Sequence, residues 1–453
     1  MRSSVWLRAA ALLFAVAWVS PIRSALARTV DAAVSSPVTL AVLGRANATP
    51  SVASDGDDVV VAWGASLPGG ATDVFVAISR DAGRTFGPPA RVNDADGDAR
   101  LNGEQPPRVT LARNVITVVW TTKGTSGTKL LQSRSTDGGR SFAKATTVAG
   151  TDAAGNRGWE NAATDRAGRT FAVWLDHREL ARQDGEVAAS HHDHAAMASG
   201  KPDGVAMAQK SKLFIASLDG LVAPAAITGG VCYCCKTAIA AGGDGSVYTA
   251  WRHVYPGNIR DIAFTLSHDG GRTFAAPVRV SEDKWSIEGC PDDGPAMAVD
   301  AANRIHIVWP TLITENLTAE YATVAEKNPS RHSPRAPRSS VNQQTIALFY
   351  ATSVDGARFT PRQRIPTEGM PHHPQIAIGG DGAPVIAWDE AADGGRRAAI
   401  TRVAPAGAAG RFARDVVGET AVYPVVAAVP GATVVAWTSG KSQATVIRVE
   451  RKP

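Results

Sequence analysis

The stretch Ser267–Phe274, SHDGGRTF, decides the fold because it recurs: SRDAGRTF at Ser79–Phe86, STDGGRSF at Ser135–Phe142 and a clipped SVDGARF at Ser353–Phe359. Each copy follows an alternating apolar run, such as VFVAI before Ser79 or DIAFTL before Ser267. Alternation at period two followed by Asp, Gly, usually a hydroxyl and then an aromatic predicts a strand, a tight turn and the start of another strand. In such a turn the Asp carboxylate accepts backbone N–H groups, Gly takes φ > 0 and the aromatic packs inward. The turn itself reads as a hairpin corner without chemistry.

A second repeat lies upstream of the Asp turns. Short alternating strands end at Trp63 (VVVAW), Trp120 (ITVVW), Trp174 (TFAVW), Trp251 (SVYTAW), Trp309 (IHIVW), Trp388 (PVIAW) and Trp437 (TVVAW). Most are preceded by another short strand and a polar turn. The unit is therefore strand, turn, Trp strand, loop, strand, Asp turn, strand, which is one four-stranded antiparallel blade of a β-propeller. Seven Trp strands predict an all-β propeller of seven blades, with six plus an irregular terminal element as the alternative. The last unit supplies only three strands, and the orphan strand Val38–Gly44 is expected to close it, removing an exposed sheet edge.

The pattern S-x-D-x-G-x-T-F after a third strand resembles the Asp-box, or BNR, repeat of the sialidase (neuraminidase) superfamily, over nearly the whole chain after residue 27. The resemblance implies a propeller that acts through one face, whether as an enzyme or as a binding module. For a sialidase it implies a Tyr nucleophile activated by Glu, an Asp acid–base and three arginines gripping a carboxylate. The matching residue types here are Tyr423, Glu160, Asp292 or Asp293, and Arg108, Arg178 and Arg252. The family's Phe-Arg-Ile-Pro motif is absent before the first Asp box; the only Arg-Ile-Pro, Arg364–Pro366, follows the last.

Residues 1–27 read as a cleaved secretory signal: Arg2 and Arg8 flank an apolar run too short to span a bilayer, and Ala25-Leu26-Ala27 offers an A-x-A cleavage site. Residues 28–453 then form one propeller domain, periplasmic or secreted and expected to be monomeric. Loss of Arg2, Arg8 and Arg23 lowers the net charge from +5 to +2, so nucleic acid is not an expected partner. No later stretch is apolar enough to cross a membrane. Two long insertions are expected between second and third strands, at about 176–211 and 311–345.

Sorting residues by strand direction puts every Asp turn at the bottom of the propeller. The top gathers the starts of the inner strands: GEQPPR (103–108), GWEN (158–161), VCYCCK (231–236), GCPDDGP (289–295), MPHHP (370–374) and VYP (422–424). The ends of the Trp strands add DHRE (176–179), RH (252–253) and DE (389–390). All four cysteines and eight of the ten histidines fall on this face, leaving His268 in an Asp turn and His306 within a strand. Soft sulfur and imidazole donors point to copper first and zinc second, with Cys232, Cys234, Cys235, Cys290, His372, His373 and Met370 as candidate ligands. His191, His192 and His194, in the first insertion, form a second, looser candidate site. The alternatives are a disulfide between Cys290 and one of Cys232, Cys234 and Cys235, stapling two blades, and a top face that binds a small molecule, glycan or protein without metal.

Overall fold

A computed structural model of the chain describes residues 36–180, 204–287, 291, 293–318, 340–392 and 394–453. Ser36–Pro453 is one compact unit, and its 28 strands make seven four-stranded antiparallel sheets. The inner strands are Ala46–Asp55, Arg108–Ala112, Arg157–Thr164, Ala238–Ala241, Ala296–Val299, Met370–Ile378 and Ala421–Val429. Each packs against the inner strands of both neighbouring blades, and the seventh packs against the first, closing the ring. Six blades are consecutive in sequence. The seventh is completed by Val38–Leu40, which pairs antiparallel with the last strand, Ala444–Lys452, from Val38 opposite Val449 to Leu40 opposite Ile447. That is the closure the orphan strand predicts.

The Trp strands form the core. Trp63, Trp120, Trp174, Trp251, Trp309 and Trp388 are wholly buried. Facing third strands contribute aromatic partners, with ring centroids 6.4 Å apart for Trp63 and Phe75, 5.8 Å for Trp174 and Phe214 and 6.3 Å for Trp309 and Phe349. A buried indole N–H needs an acceptor, and strand periodicity places residue i+2 on the same face. Hence Trp174 donates to Asp176 Oδ2 (3.2 Å), Trp251 to His253 Nδ1 (3.3 Å) and Trp388 to Glu390 Oε2 (3.0 Å). Three residues that the sequence marks as top-face chemistry thus serve the core.

The Asp turns close as their composition predicts. Asp269 accepts from the backbone N–H groups of Arg272 (3.0 Å) and Thr273 (2.9 Å), from the Thr273 hydroxyl (2.5 Å) and from Ser267 (2.7 Å). Asp81 and Asp137 repeat the pattern. The clipped copy has Arg358 in place of the hydroxyl, so Asp355 receives only backbone N–H groups and Ser353. The turns also interlock blades. A Cβ on Gly83 would lie 2.6 Å from Val434 of the seventh blade, on Gly139 1.9 Å from Ile78 of the first, and on Gly356 2.3 Å from Leu266 of the fourth. Glycine is thus required twice over at these positions, for its positive φ and for the close approach to the preceding blade.

One expected boundary changes. The fifth-blade strands run Ile305–Thr318 and Ser340–Ser353, paired continuously to Thr318 opposite Ser340. Residues 311–318 and 340–345 are therefore strand, not insertion. The sequence TLITENLT carries three Thr and one Ile, β-branched residues that suit a strand. In the third blade the Trp strand ends at Asp176 and a short helix, Gly204–Lys210, precedes the next strand at Lys212. The expected signal segment, His191, His192, His194, Cys290 and Asp292 lie outside the described residues.

Candidate functional site

Four inner strands enter the channel mouth through the same irregularity. Register shifts occur between Ala48 and Ser51, Gly158 and Asn161, His372 and Gln375, and Val422 and Val425. Each bulge holds a non-glycine residue at positive φ: Thr49 (55°), Trp159 (53°), His373 (50°) and Tyr423 (55°). Such conformations cost on the order of 1 kcal/mol or more and persist where the surroundings impose them, often at functional sites. Three of the four precede proline, in Thr49-Pro50, His373-Pro374 and Tyr423-Pro424. Proline has no N–H to donate, so it suits the unpaired position of a bulge.

His373 and Tyr423 meet at this mouth, ring centroids 4.5 Å apart. Gly103 makes room for the tyrosine, because a Cβ there would lie 2.1 Å from its ring. Asp389, wholly buried, organises the pair: it accepts from the Tyr423 backbone N–H (2.8 Å) and from Arg396 (2.5 Å), and its oxygens lie 2.9 and 3.1 Å from His373 Nδ1. The adjacent histidine has its own carboxylate, with His372 Nδ1 2.5 Å from Asp293 Oδ2, while the His373 backbone N–H donates to Asp293 Oδ1 (2.9 Å). Both histidines are therefore oriented through Nδ1, and among the described residues neither Nε2 has a hydrogen-bond partner.

Glu104 completes the group. Its Oε2 accepts from the backbone N–H of Lys236 (2.9 Å) and of Gly294 (3.3 Å), while its buried Oε1 has no partner among the described residues. One ligand atom each from Glu104, Asp293 and His373 lies within 4.8 Å of the other two. Lys236 is buried beside them, its Nζ donating to Pro374 O (2.8 Å). Three carboxylates, Glu104, Asp293 and Asp389, thus share the mouth with Lys236, whose ammonium burial makes easier to deprotonate, with Arg396 and with the two histidines.

Burial raises the Glu104 carboxyl above its ordinary range, against the pull of Lys236. Burial also acts to depress His373, but Asp389, Asp293 and Glu104 prevail and hold it above the usual imidazole value. Asp293 and Asp389 are kept below the carboxylate range because, against burial, the two histidines and Arg396 favour the charged form. Burial raises the Tyr423 phenol, helped by Asp389.

The cysteines form a separate cluster. Cys232 Sγ lies 3.7 Å from Cys234 Sγ and 3.5 Å from Cys235 Sγ, all three buried. Cys232 and Cys235 are free thiols; Cys234 is not one of them. Among the described residues no histidine nitrogen joins this sulfur group within ligand range. The single Cys/His ligand set expected from sequence is thus two groups, because the cysteines sit under the Trp251 strand while His372 and His373 sit on the bulge of the sixth blade. Met370 is 48% exposed and lines a polar cleft of ≈ 650 Å³ with Glu315, Arg364, Glu368 and Arg397.

The three arginines expected to clamp a carboxylate share no partner. Arg108 donates to Glu160 O (2.8 Å). Arg178 is held by Asp176 and Gly150 O, and Arg252 is spent on the carbonyls of Asp293, Arg260 and Pro310. Among the described residues Glu160, buried against Thr121 (2.9 Å), makes no hydrogen bond to Tyr423, whose neighbours are His373 and Asp389. Glu104, Lys236, Asp389 and Arg396 were not singled out from sequence. All but Arg396 lie in the strand-end stretches already marked, so position was legible while partnership was not.

No protein-family model and no curated protein matches the sequence. Among solved structures the chain is similar to the polysaccharide lyase Uly1, at 10% identity over 89% of this chain and 90% of that one with a TM-score of 0.50. It is also similar to the α-L-arabinanase of Penicillium chrysogenum complexed with arabinobiose (12% identity, 92% and 98% covered, TM-score 0.46) and to the Hadza microbial sialidase Hz136 (11%, 84% and 73%, TM-score 0.44). At these identities the likeness is one of fold alone: the chain is a seven-bladed β-propeller.

Proposed function

We propose that the propeller binds a transition-metal ion at the channel mouth, copper(II) first and zinc second, with His372 and His373 as imidazole ligands and Glu104 and Asp293 as the carboxylates beside them. The observation that carries this reading is that each histidine has its Nδ1 anchored by a buried aspartate, which fixes ring and tautomer and leaves Nε2 as the donor, the usual outer-shell arrangement of metal-ligating histidines. Glu104 Oε1, buried and without a hydrogen-bond partner among the described residues, points the same way. Mixed imidazole and carboxylate donors suit copper(II) or zinc, and for a given site copper(II) binds more tightly. The polar cleft beside Met370 gives a small-molecule or glycan ligand access from the same face. A disulfide at Cys234 is in keeping with a periplasmic or secreted monomer. No helix among the described residues is long and apolar enough to cross a membrane.

Calorimetric titration of the metal-stripped protein with copper(II) and zinc tests the reading. The wild type is expected to take up one equivalent, and His372→Ala with His373→Ala to lose it. Uptake that is absent, or equal in the double variant, overturns the proposal.

A second reading, a sialidase-type exo-glycosidase with Tyr423 as nucleophile, Glu160 as its partner and Asp293 as acid–base, is favoured only by the shared position of Tyr423 and Asp293 at the mouth. It predicts release of a fluorophore from a sialoside, lost in Tyr423→Phe. The phenol's raised ionisation and the committed arginines weigh against it.

A further inference from the structure

We propose that Cys232 and Cys235 are a redox-active dithiol that undergoes exchange with small disulfides, independently of any metal. The two free thiols are spaced C-x-x-C, Cys232-Tyr233-Cys234-Cys235, and their sulfurs are 3.5 Å apart, so rotation about the side chains brings them towards bonding distance. Their surroundings differ. Arg260, wholly buried, donates through Nη1 to Cys232 Sγ (3.0 Å), and the Cys235 thiol donates to the same sulfur. Cys232 is thereby favoured as the thiolate, with its ionisation lowered first by the Cys235 hydrogen bond and then by Arg260 and Arg252. Cys235 is held as the thiol, chiefly by burial. One sulfur is a nucleophile and its neighbour a reserve, the asymmetry that dithiol exchange requires.

The same arginine argues against a metal ion on these sulfurs. A guanidinium donating to Cys232 Sγ occupies the direction from which a cation would bind and repels it, whereas it stabilises a thiolate outright. In the reaction, the Cys232 thiolate attacks one sulfur of a disulfide RSSR, forming Cys232–S–SR and releasing RS⁻. Cys235 passes its proton to a released thiolate and attacks Cys232 Sγ, expelling the second RS⁻. The sum is one cysteine thiolate and one cysteine thiol oxidised to one disulfide, and RSSR reduced to one RSH and one RS⁻, which takes its proton from water. The peptide after Cys235 donates its N–H to Glu104, so the sulfur pair and the channel mouth share a backbone segment.

The test uses the full chain in glutathione buffers graded from reduced to oxidised, with a chelator present throughout so that the result is separate from metal binding. Samples are acid-quenched, denatured and alkylated, and intact mass is read. The expected result is two alkylated thiols at the reduced end, both lost together towards the oxidised end, with no stable glutathione adduct. Cys235→Ala is expected to trap one glutathione on Cys232. Two thiols alkylated across the whole range, or stepwise accumulation of adducts on the wild type, overturns the proposal. Should Cys235→Ala not fold, Arg260→Gln gives a second reading. Its exchange rate with a small aromatic disulfide at neutral pH should fall at least tenfold, and an unchanged rate refutes the arginine-activated thiolate.

Discussion

Replacing Asp389 by Asn tests the channel mouth at its most constrained point. The carboxylate receives three donors: His373 Nδ1, Arg396 and the Tyr423 backbone N–H. Arg396 bonds Oδ1 and Tyr423 N bonds Oδ2, so whichever way an amide is turned its NH2 group meets one of these donors head-on. The loss is a buried unsatisfied pair plus the attraction of a buried charge for Arg396, together about 3 kcal/mol of folding stability. The amide also acts on the histidine. If its NH2 faces Nδ1 it donates there, which moves the imidazole proton to Nε2 and removes the metal-binding lone pair. Metal affinity should fall 10- to 100-fold, the usual range for an outer-shell partner, equivalent to about 1.4–2.8 kcal/mol. Urea unfolding of the metal-free protein measures the first loss, and calorimetry with copper(II) or zinc measures the second. Asp415→Asn, at a 59% exposed carboxylate paired with Lys452, is the control and should change neither. If Asp389→Asn unfolds more easily yet binds metal as the wild type does, His373 is not oriented through Asp389 for ligation, and the proposed role of the second aspartate pair falls with it.

Further expectations concern the scaffold. Asp176→Ala leaves buried Arg157 without its carboxylate and frees Arg178 and the Trp174 indole; a loss of about 3–5 kcal/mol in urea unfolding is expected, and a loss below 1 kcal/mol would show the hub to be dispensable. Gly139→Ala should cost about 1–3 kcal/mol more than Gly56→Ala, because both are at positive φ but only Gly139 abuts the preceding blade; equal costs would deny the interlock. His253 is held to about 4 by burial, so the unfolded chain binds the extra proton between that value and the ordinary one near 6.5. Stability attached to this residue is therefore present above about 6.5 and is lost as pH falls to about 4, to the extent of about 3 kcal/mol. His253→Asn should flatten the wild-type loss over that window, measured by urea unfolding at each pH; an unchanged slope would refute it.

The fold was legible because it is written in local periods. Period-two strands, Asp turns and the Trp that ends each second strand need only near neighbours to be read, and the orphan strand at Val38 followed from counting strands in the last unit. What escaped was the partnering of side chains from different blades. Asp293 and His372 come from adjacent blades, and Glu104 meets Lys236 from two blades away. No spacing encodes either contact. Sequence also overvalued charged residues after the Trp strands: Asp176, His253 and Glu390 are acceptors for indoles two positions back. Of the cysteines and histidines expected together, Cys232 and Cys235 form one group and His372 and His373 another. The useful signal not exploited was X-Pro at the start of inner strands, which marks the bulges that carry His373 and Tyr423.

The short closing strand at Val38–Leu40 has a kinetic consequence. Its hydrogen bond from Arg448 to Thr39 spans 409 positions, whereas the other blades pair strands that follow one another in sequence. Local hairpins form before distant ends meet, since loop closure costs entropy before contacts return any. The seventh blade should therefore be the last to complete during refolding and the first to open in the native state. Amide exchange at Ile447 and Val449, the partners of Leu40 and Val38, would then report on opening of the whole ring through its narrowest seam.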